Sequence, residues 1–296
     1  MSSRCGLVLM LAFLSANSVA ATPPATGYCT STASGDLRVH RLESRIFGNT
    51  RQFRVLLPPG YDAPENAERR YAVLYMLDGQ NLFDACLSDV SHREWELDET
   101  VYRLIREGRI PPMIVVGVDH AGPDRAREFL PYKDFAGNPD MGEPEGRRFP
   151  DFMTSEVMPS VDSRYRTLTD HDHTGIGGSS YGGSAALYAL LAKPGRFGYG
   201  LLESPILAIG MGQLIRDTSP LVAMPRRVFI AFGAKEIDDP VISGKFIDLV
   251  HLLEANFRAA GYDDSNLRVV IDPDGRHSEP AWARRLPGAL LFLFGP

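Results

Sequence analysis

Cysteine and tryptophan are scarce in this sequence, with three and two residues among 296. Three cysteines are too few for the disulfide lattice that holds small secreted domains together, so stability must come from a buried core. Their spacing matches no zinc-site pattern. Positive charge is also short: 31 Lys and Arg stand against 37 Asp and Glu, for a net charge of −6. That balance excludes a basic surface for nucleic acid or for an anionic membrane. Long apolar runs are missing as well. The N-terminal run, Gly6 to Leu14, has nine residues, whereas a hydrocarbon core of ~30 Å needs about 20. No membrane span is expected. No internal repeat and no linker divides the chain, and the composition is that of an ordinary globular domain.

The N-terminus reads as an export signal. Arg4 precedes the apolar run, and Ser18-Val19-Ala20 is a small-x-small cleavage site. Residues 1–20 are therefore expected to be a signal peptide, cleaved near Ala20 or Ala21, with a periplasmic or secreted destination. Cys5 leaves with that segment. Cys29 and Cys86 then pair, as an oxidising compartment favours, or remain two thiols. Residues 21–37, rich in Ala, Thr, Pro, Ser and Gly, are expected to form a flexible leader before a single domain over 38–296.

Polar and apolar residues alternate from Val39 to Leu57, which predicts an antiparallel hairpin. Tyr71–Leu77, Met113–Val118, Tyr199–Ser204, Val228–Phe232 and Leu267–Ile271 are nearly continuous apolar runs, the pattern of strands buried on both faces. Helical spacing marks Glu96–Glu107, Phe149–Val161, Ile242–Ala260 and Glu279–Phe294, and Asp119–Arg147 reads as a loop. This alternation predicts an α/β fold, with a mostly parallel central sheet and helices on both faces.

Gly178-Ser179-Ser180-Tyr181-Gly182 is a G-x-S-x-G between a short strand and a run of small and aliphatic residues. In such a turn small flanking residues let the backbone bend sharply and present the central hydroxyl at a helix N-terminus. Only Ser180 has glycine at both −2 and +2, so Ser180 is the candidate nucleophile. A serine hydroxyl needs an imidazole to take its proton, and the imidazole needs a carboxylate to fix its tautomer. His277 follows the last strand, in Asp272-Pro273-Asp274-Gly275-Arg276-His277-Ser278. Glu236, Asp238 and Asp239 follow the strand ending at Phe232. Glu236, nearest the strand end, is favoured as the acid, with Asp239 the alternative. Ester attack also needs N–H donors aimed at the developing oxyanion. The amide of Tyr181 is one candidate, and the amide of Gln80, in Asp78-Gly79-Gln80-Asn81, is the other.

With these residues in place the chain resembles the putative-esterase family of α/β-hydrolases. That family includes siderophore, feruloyl and acetyl-xylan esterases, S-formylglutathione hydrolases and mycolyltransferases. The resemblance spans about Arg51 to Phe294. It rests on Leu77-Asp78-Gly79-Gln80-Asn81-Leu82-Phe83-Asp84, on Gly178 to Gly183, on the loop with Glu236, and on Gly275-Arg276-His277-Ser278-Glu279-Pro280-Ala281-Trp282. It implies the α/β-hydrolase fold and a serine carboxylic-ester hydrolase that works through an acyl-enzyme and needs no cofactor. Its substrate would be a small-molecule, carbohydrate or siderophore ester. The family's nucleophile, base and acid fall on Ser180, His277 and Glu236. By the same resemblance Phe129, in Arg127-Glu128-Phe129-Leu130-Pro131, and Asn81 border the substrate. Two other readings compete. Asp170-His171-Asp172-His173 could ligate a metal for metal-assisted hydrolysis, and the scaffold could serve as a non-catalytic binding protein.

Overall fold

β1 (Asp36–Glu43), exposed to half-buried along its length, and β2 (Thr50–Leu57), buried from Phe53 onward, pair antiparallel, from Asp36 opposite Leu57 to Glu43 opposite Thr50. The structure, a computed structural model, describes residues 29–88, 92–219 and 225–296. The expected signal segment and residues 21–28 lie outside these. The apolar runs become β3 (Ala72–Leu77), β4 (Met113–Val118), β5 (Thr174–Ser179), β6 (Tyr199–Glu203), β7 (Arg227–Gly233) and β8 (Leu267–Asp272). They form one sheet of eight strands in the order β1-β2-β4-β3-β5-β6-β7-β8. From β4 to β8 every pairing is parallel, and β2, antiparallel to both β1 and β4, alone runs against the rest.

Successive side chains on a strand point to opposite faces, and β3 divides accordingly. Val73, Tyr75 and Leu77 join one apolar core, whereas Leu74 and Met76 join the other. The second core is closed by α1 (Leu97–Arg106) and α8 (Glu279–Phe294). The first is covered by α2 (Arg125–Phe129), α3 (Phe149–Phe152), α4 (Met158–Asp162), α5 (Tyr181–Ala192), α6 (Ile209–Asp217) and α7 (Pro240–Ala259). This is the expected α/β-hydrolase architecture. Among the described residues no helix is long and apolar enough to cross a membrane.

Three local expectations need correction. The stretch Asp119–Arg147 is not all loop, because it holds the five-residue α2, too short to show helical periodicity. The helix expected over Phe149–Val161 widens into a π turn at Met153–Val157 between α3 and α4. Pro159 has no N–H to return to the preceding turn, and the wider turn accommodates its ring. The leader is not free over its last residues. Asp36 and Leu37 already belong to β1. Before them Cys29 forms a disulfide with Cys86, Ser31 donates to Asp84 (2.6 Å), and the Asp36 amide donates to the Tyr102 hydroxyl (2.9 Å).

The disulfide closes a loop across 57 positions, so removing it frees the unfolded chain appreciably. Cys86→Ser should destabilise the fold by about 2–4 kcal/mol, read as a lower denaturation midpoint. A chain lacking residues 1–20, denatured without reductant, should give no thiol reaction; two reactive thiols would contradict the pairing.

Candidate active site

The turn from β5 into α5 holds Ser180 at φ 56° and ψ −126°, a conformation that a residue with a Cβ rarely adopts. Two contacts fix it there. The Ser180 amide donates to the Glu203 carbonyl of the neighbouring strand (3.0 Å), and the Ser180 carbonyl accepts from the Ser184 amide (3.1 Å). The flanking glycines are required by close approach. A Cβ on Gly178 would lie 2.8 Å from the Gly182 carbonyl carbon, and one on Gly182 would lie 2.7 Å from Asp78 Oδ2. The half-buried Ser180 side chain sits where two cavities meet, of about 370 and 180 Å³, and both are also lined by His277.

His277 and Glu236 come from the loops that follow β8 and β7. Nδ1 of His277 lies 2.8 Å from Glu236 Oε2. The other oxygen, Oε1, accepts from the Gly233 amide (2.6 Å) and from the Ser204 hydroxyl. The Glu236 side chain is 2% exposed and that of His277 31%, so the carboxylate is shielded while the ring keeps an open edge. The two loops are bound together through backbone: Ala234 N–H donates to the Asp272 carbonyl (2.8 Å) and Lys235 N–H to that of Gly275 (2.9 Å). Asp239 does something else. Its carboxylate caps α7, accepting from the amides of Val241 (2.8 Å) and Ile242 (3.1 Å).

Sequence reasoning missed the support beneath this pair. Ser204, at φ 45°, donates its hydroxyl to Glu236 and accepts the indole N–H of Trp282 (2.9 Å). The Trp282 ring meets the His277 ring edge-on at 5.1 Å between centroids. Next to Ser204, the fully buried Glu203 accepts from Arg285 Nε (3.0 Å) and Nη2 (2.7 Å). Burial pushes the Glu203 carboxyl up to about 7, against the pull of the Arg285 charge. The available signal was a glutamate and a serine ending the strand Tyr199-Gly200-Leu201-Leu202, followed later by the pair Arg284-Arg285 within the otherwise largely apolar α8.

The loop after β3 brings Gln80 and Asn81 to the same sheet edge, in a short 3-10 turn over Gly79–Asn81. Gly79 passes so near β4 that a Cβ there would stand 2.6 Å from the Gly117 carbonyl carbon. Asp78, at φ 60°, accepts two bonds from Arg125, 2.7 and 2.8 Å long. The guanidinium of Arg125 lies over the Tyr181 ring at 5.3 Å, and the Tyr181 hydroxyl donates to Asp134 (2.6 Å). Asn81 lines the smaller cavity and Tyr181 the larger. Phe129 borders neither. It is 1% exposed, packed edge-on against Phe149 at 5.1 Å and lying under Arg125. Its expected contact with substrate is corrected to a role in the core, because its neighbours in α2 and α3 enclose it.

The Asp170–His173 segment is a 3-10 turn that leads into the start of β5, at the edge of the sheet opposite Ser180. Its groups are satisfied locally: His173 Nδ1 lies 2.7 Å from Asp170, His171 Nδ1 lies 2.9 Å from Asp172, and Asp172 pairs with Arg226 at 2.9 Å. Among the described residues no three His, Cys, Asp or Glu side chains are grouped to hold a metal ion.

The family model described as "Putative esterase" matches residues 44–293. The Bacillus subtilis protein YbbA, itself uncharacterized, is 21% identical over 83% of this chain and 93% of its own. An endo-1,4-beta-xylanase/feruloyl esterase of Xylanibacter ruminicola is 25% identical over 88% of this chain, which corresponds to 31% of that longer protein. Among solved structures, an IroE-like serine hydrolase from Shewanella oneidensis superposes with a TM-score of 0.70 at 23% identity, covering 88% of this chain and 80% of that one. The chain belongs to the putative esterase family of carboxylic ester hydrolases.

Proposed function

We propose that this protein is an exported serine esterase that cleaves carboxylic esters through an acyl-enzyme on Ser180. The observation that carries the reading is the 2.8 Å contact between His277 Nδ1 and Glu236, with His277 lining both of the cavities that Ser180 also lines. Glu236 bound at Nδ1 keeps the proton on that nitrogen, which leaves Nε2 as the base. In the first half-reaction Nε2 takes the Ser180 proton as Oγ adds to the ester carbonyl. The oxyanion that forms is met by the amides of Tyr181 and Gln80. Collapse expels the alcohol, which receives the proton from His277, and a water activated in the same way then hydrolyses the acyl-serine.

The imidazolium formed in each half-reaction sits over a carboxylate that has two other donors and almost no water. Such a shielded, preorganised anion stabilises the charged ring more than an exposed one does. Export is supported by the N-terminal signal pattern and by the Cys29–Cys86 disulfide, which persists in an oxidising compartment.

Ser180→Ala should lower kcat on a chromogenic acyl ester by roughly 10⁶-fold with an unchanged circular dichroism spectrum; retention of most activity would end the proposal. The two candidate acids separate cleanly. Glu236→Gln should cost about 10⁴-fold in kcat. Asp239→Ala should leave kcat nearly intact and cost about 1 kcal/mol of stability through the lost helix cap. The opposite pattern would move the acid to Asp239.

A further inference from the structure

The two cavities beside Ser180 differ in chemistry but share one electrostatic property. The larger is walled by apolar groups such as Ile206, Phe232, Ile237 and Phe246, with Asp134 and Glu236 as the carboxylates among its described lining residues. The smaller is polar, lined by Asp78, Asn81, His120, Arg125 and Glu279 beside Ser180 and His277. Arg125 is the only permanent cation among the described residues of either wall, and Asp78 holds it in a two-bond pair that cancels its charge. His120 accepts the Gly122 amide at Nδ1 (2.9 Å), the bonding of an uncharged ring. Cations near the rim are also spoken for, since Lys235 pairs with Asp274 at 2.6 Å and Arg276 stands 3.9 Å from Asp238.

The anions are not balanced in this way. Asp134 is held by the Tyr181 hydroxyl and the amides of Ala136 and Gly137, which are neutral donors. Glu279 opens the first turn of α8, is 3% exposed, and forms no ion pair among the described residues. Burial raises its carboxyl above the usual range, with His277 and Arg125 pulling the other way. Ionised, it places a negative charge on the wall of the smaller cavity.

Resting on the esterase reading, we propose that this site selects esters by charge: its substrates pair an apolar half with a donor-rich half, hydroxylated or cationic, and polyanionic esters are rejected. A carboxylate, phosphate or metal-bound catecholate on the substrate would be stripped of water beside Asp134, Glu236 or Glu279 with no cation to replace the solvent. Like charges brought together in a partly dry cleft are strongly unfavourable. A hydroxyl or ammonium meets acceptors instead. The selection holds whichever half of the ester enters which cavity, because each wall carries at least one carboxylate without a cationic partner.

The test is a matched set of butyryl esters whose alcohols are choline, glycerol and glycolate, assayed at low ionic strength beside p-nitrophenyl butyrate. The expected result is kcat/KM for the choline and glycerol esters at least tenfold above that for the glycolate ester, with the gap narrowing as salt is added. Glu279→Gln should narrow the choline-to-glycolate ratio, with an unchanged circular dichroism spectrum reporting that the variant is folded. Equal or faster cleavage of the glycolate ester, or cleavage of p-nitrophenyl butyrate with none of the three polar esters accepted, would overturn the charge selection and leave the esterase reading standing. Loss of every ester, p-nitrophenyl butyrate included, would overturn the esterase reading itself.

Discussion

Two consecutive residues at the end of β6, Glu203 and Ser204, hold the separate parts of the site in register. The Glu203 carbonyl accepts the Ser180 amide and so fixes the strained serine turn. Its side chain binds Arg285 and thereby anchors α8. The Ser204 hydroxyl bonds Glu236 and receives the Trp282 indole, whose ring in turn packs against His277. The turn with Ser180, the loop with Glu236 and α8, which follows His277, come from distant parts of the chain, and each is tied to this dipeptide. Strain of the kind seen at Ser180 costs of order 1–3 kcal/mol and persists only where surrounding contacts over-determine it. Here the second strained residue, Ser204, is itself pinned by its amide on the Ala231 carbonyl (2.7 Å).

The sheet makes this arrangement possible. Parallel strands β5 to β8 all end on one edge, so the loops that follow them meet there without any long excursion. Glycine appears where two backbones must nearly touch. A Cβ on Gly233 would stand 2.3 Å from the Gly275 carbonyl oxygen, so the acid and histidine loops approach as closely as they do only because both residues are glycine. On the other side of Ser180, Asp78 and Arg125 brace the loop carrying Gln80 and support the ring of Tyr181.

Much of this was legible in the sequence, and the limits of legibility follow from physics. Ser180 announced itself through glycines at −2 and +2, because the turn's sterics are local. His277 and Glu236 were placed by their positions after strands, since a parallel sheet delivers such loops to one edge. Glu236 and Asp239 could be ranked only by distance to the strand end; in the fold Glu236 contacts His277 and Asp239 caps α7. Glu203, Ser204, Trp282 and Arg285 gave little sign of their roles, because those roles lie in cross-strand contacts between residues about 80 positions apart. Phe129 misled for a related reason: an aromatic residue in a cleft-like segment can face either inward or outward, and α2 turns this one into the core. The last residues of the leader looked free by composition, while bonds to Asp84 and Tyr102 and the disulfide to Cys86 hold them against the domain.

The most direct test of the account is covalent capture. Incubation with a fluorophosphonate, followed by intact-mass measurement and peptide mapping, is predicted to give a single phosphonyl adduct located on Ser180. Adduct formation should depend on an intact His277. An adduct on another residue, or none under conditions where the ester is turned over, would contradict the claim that the strained serine at the end of β5 is the nucleophile.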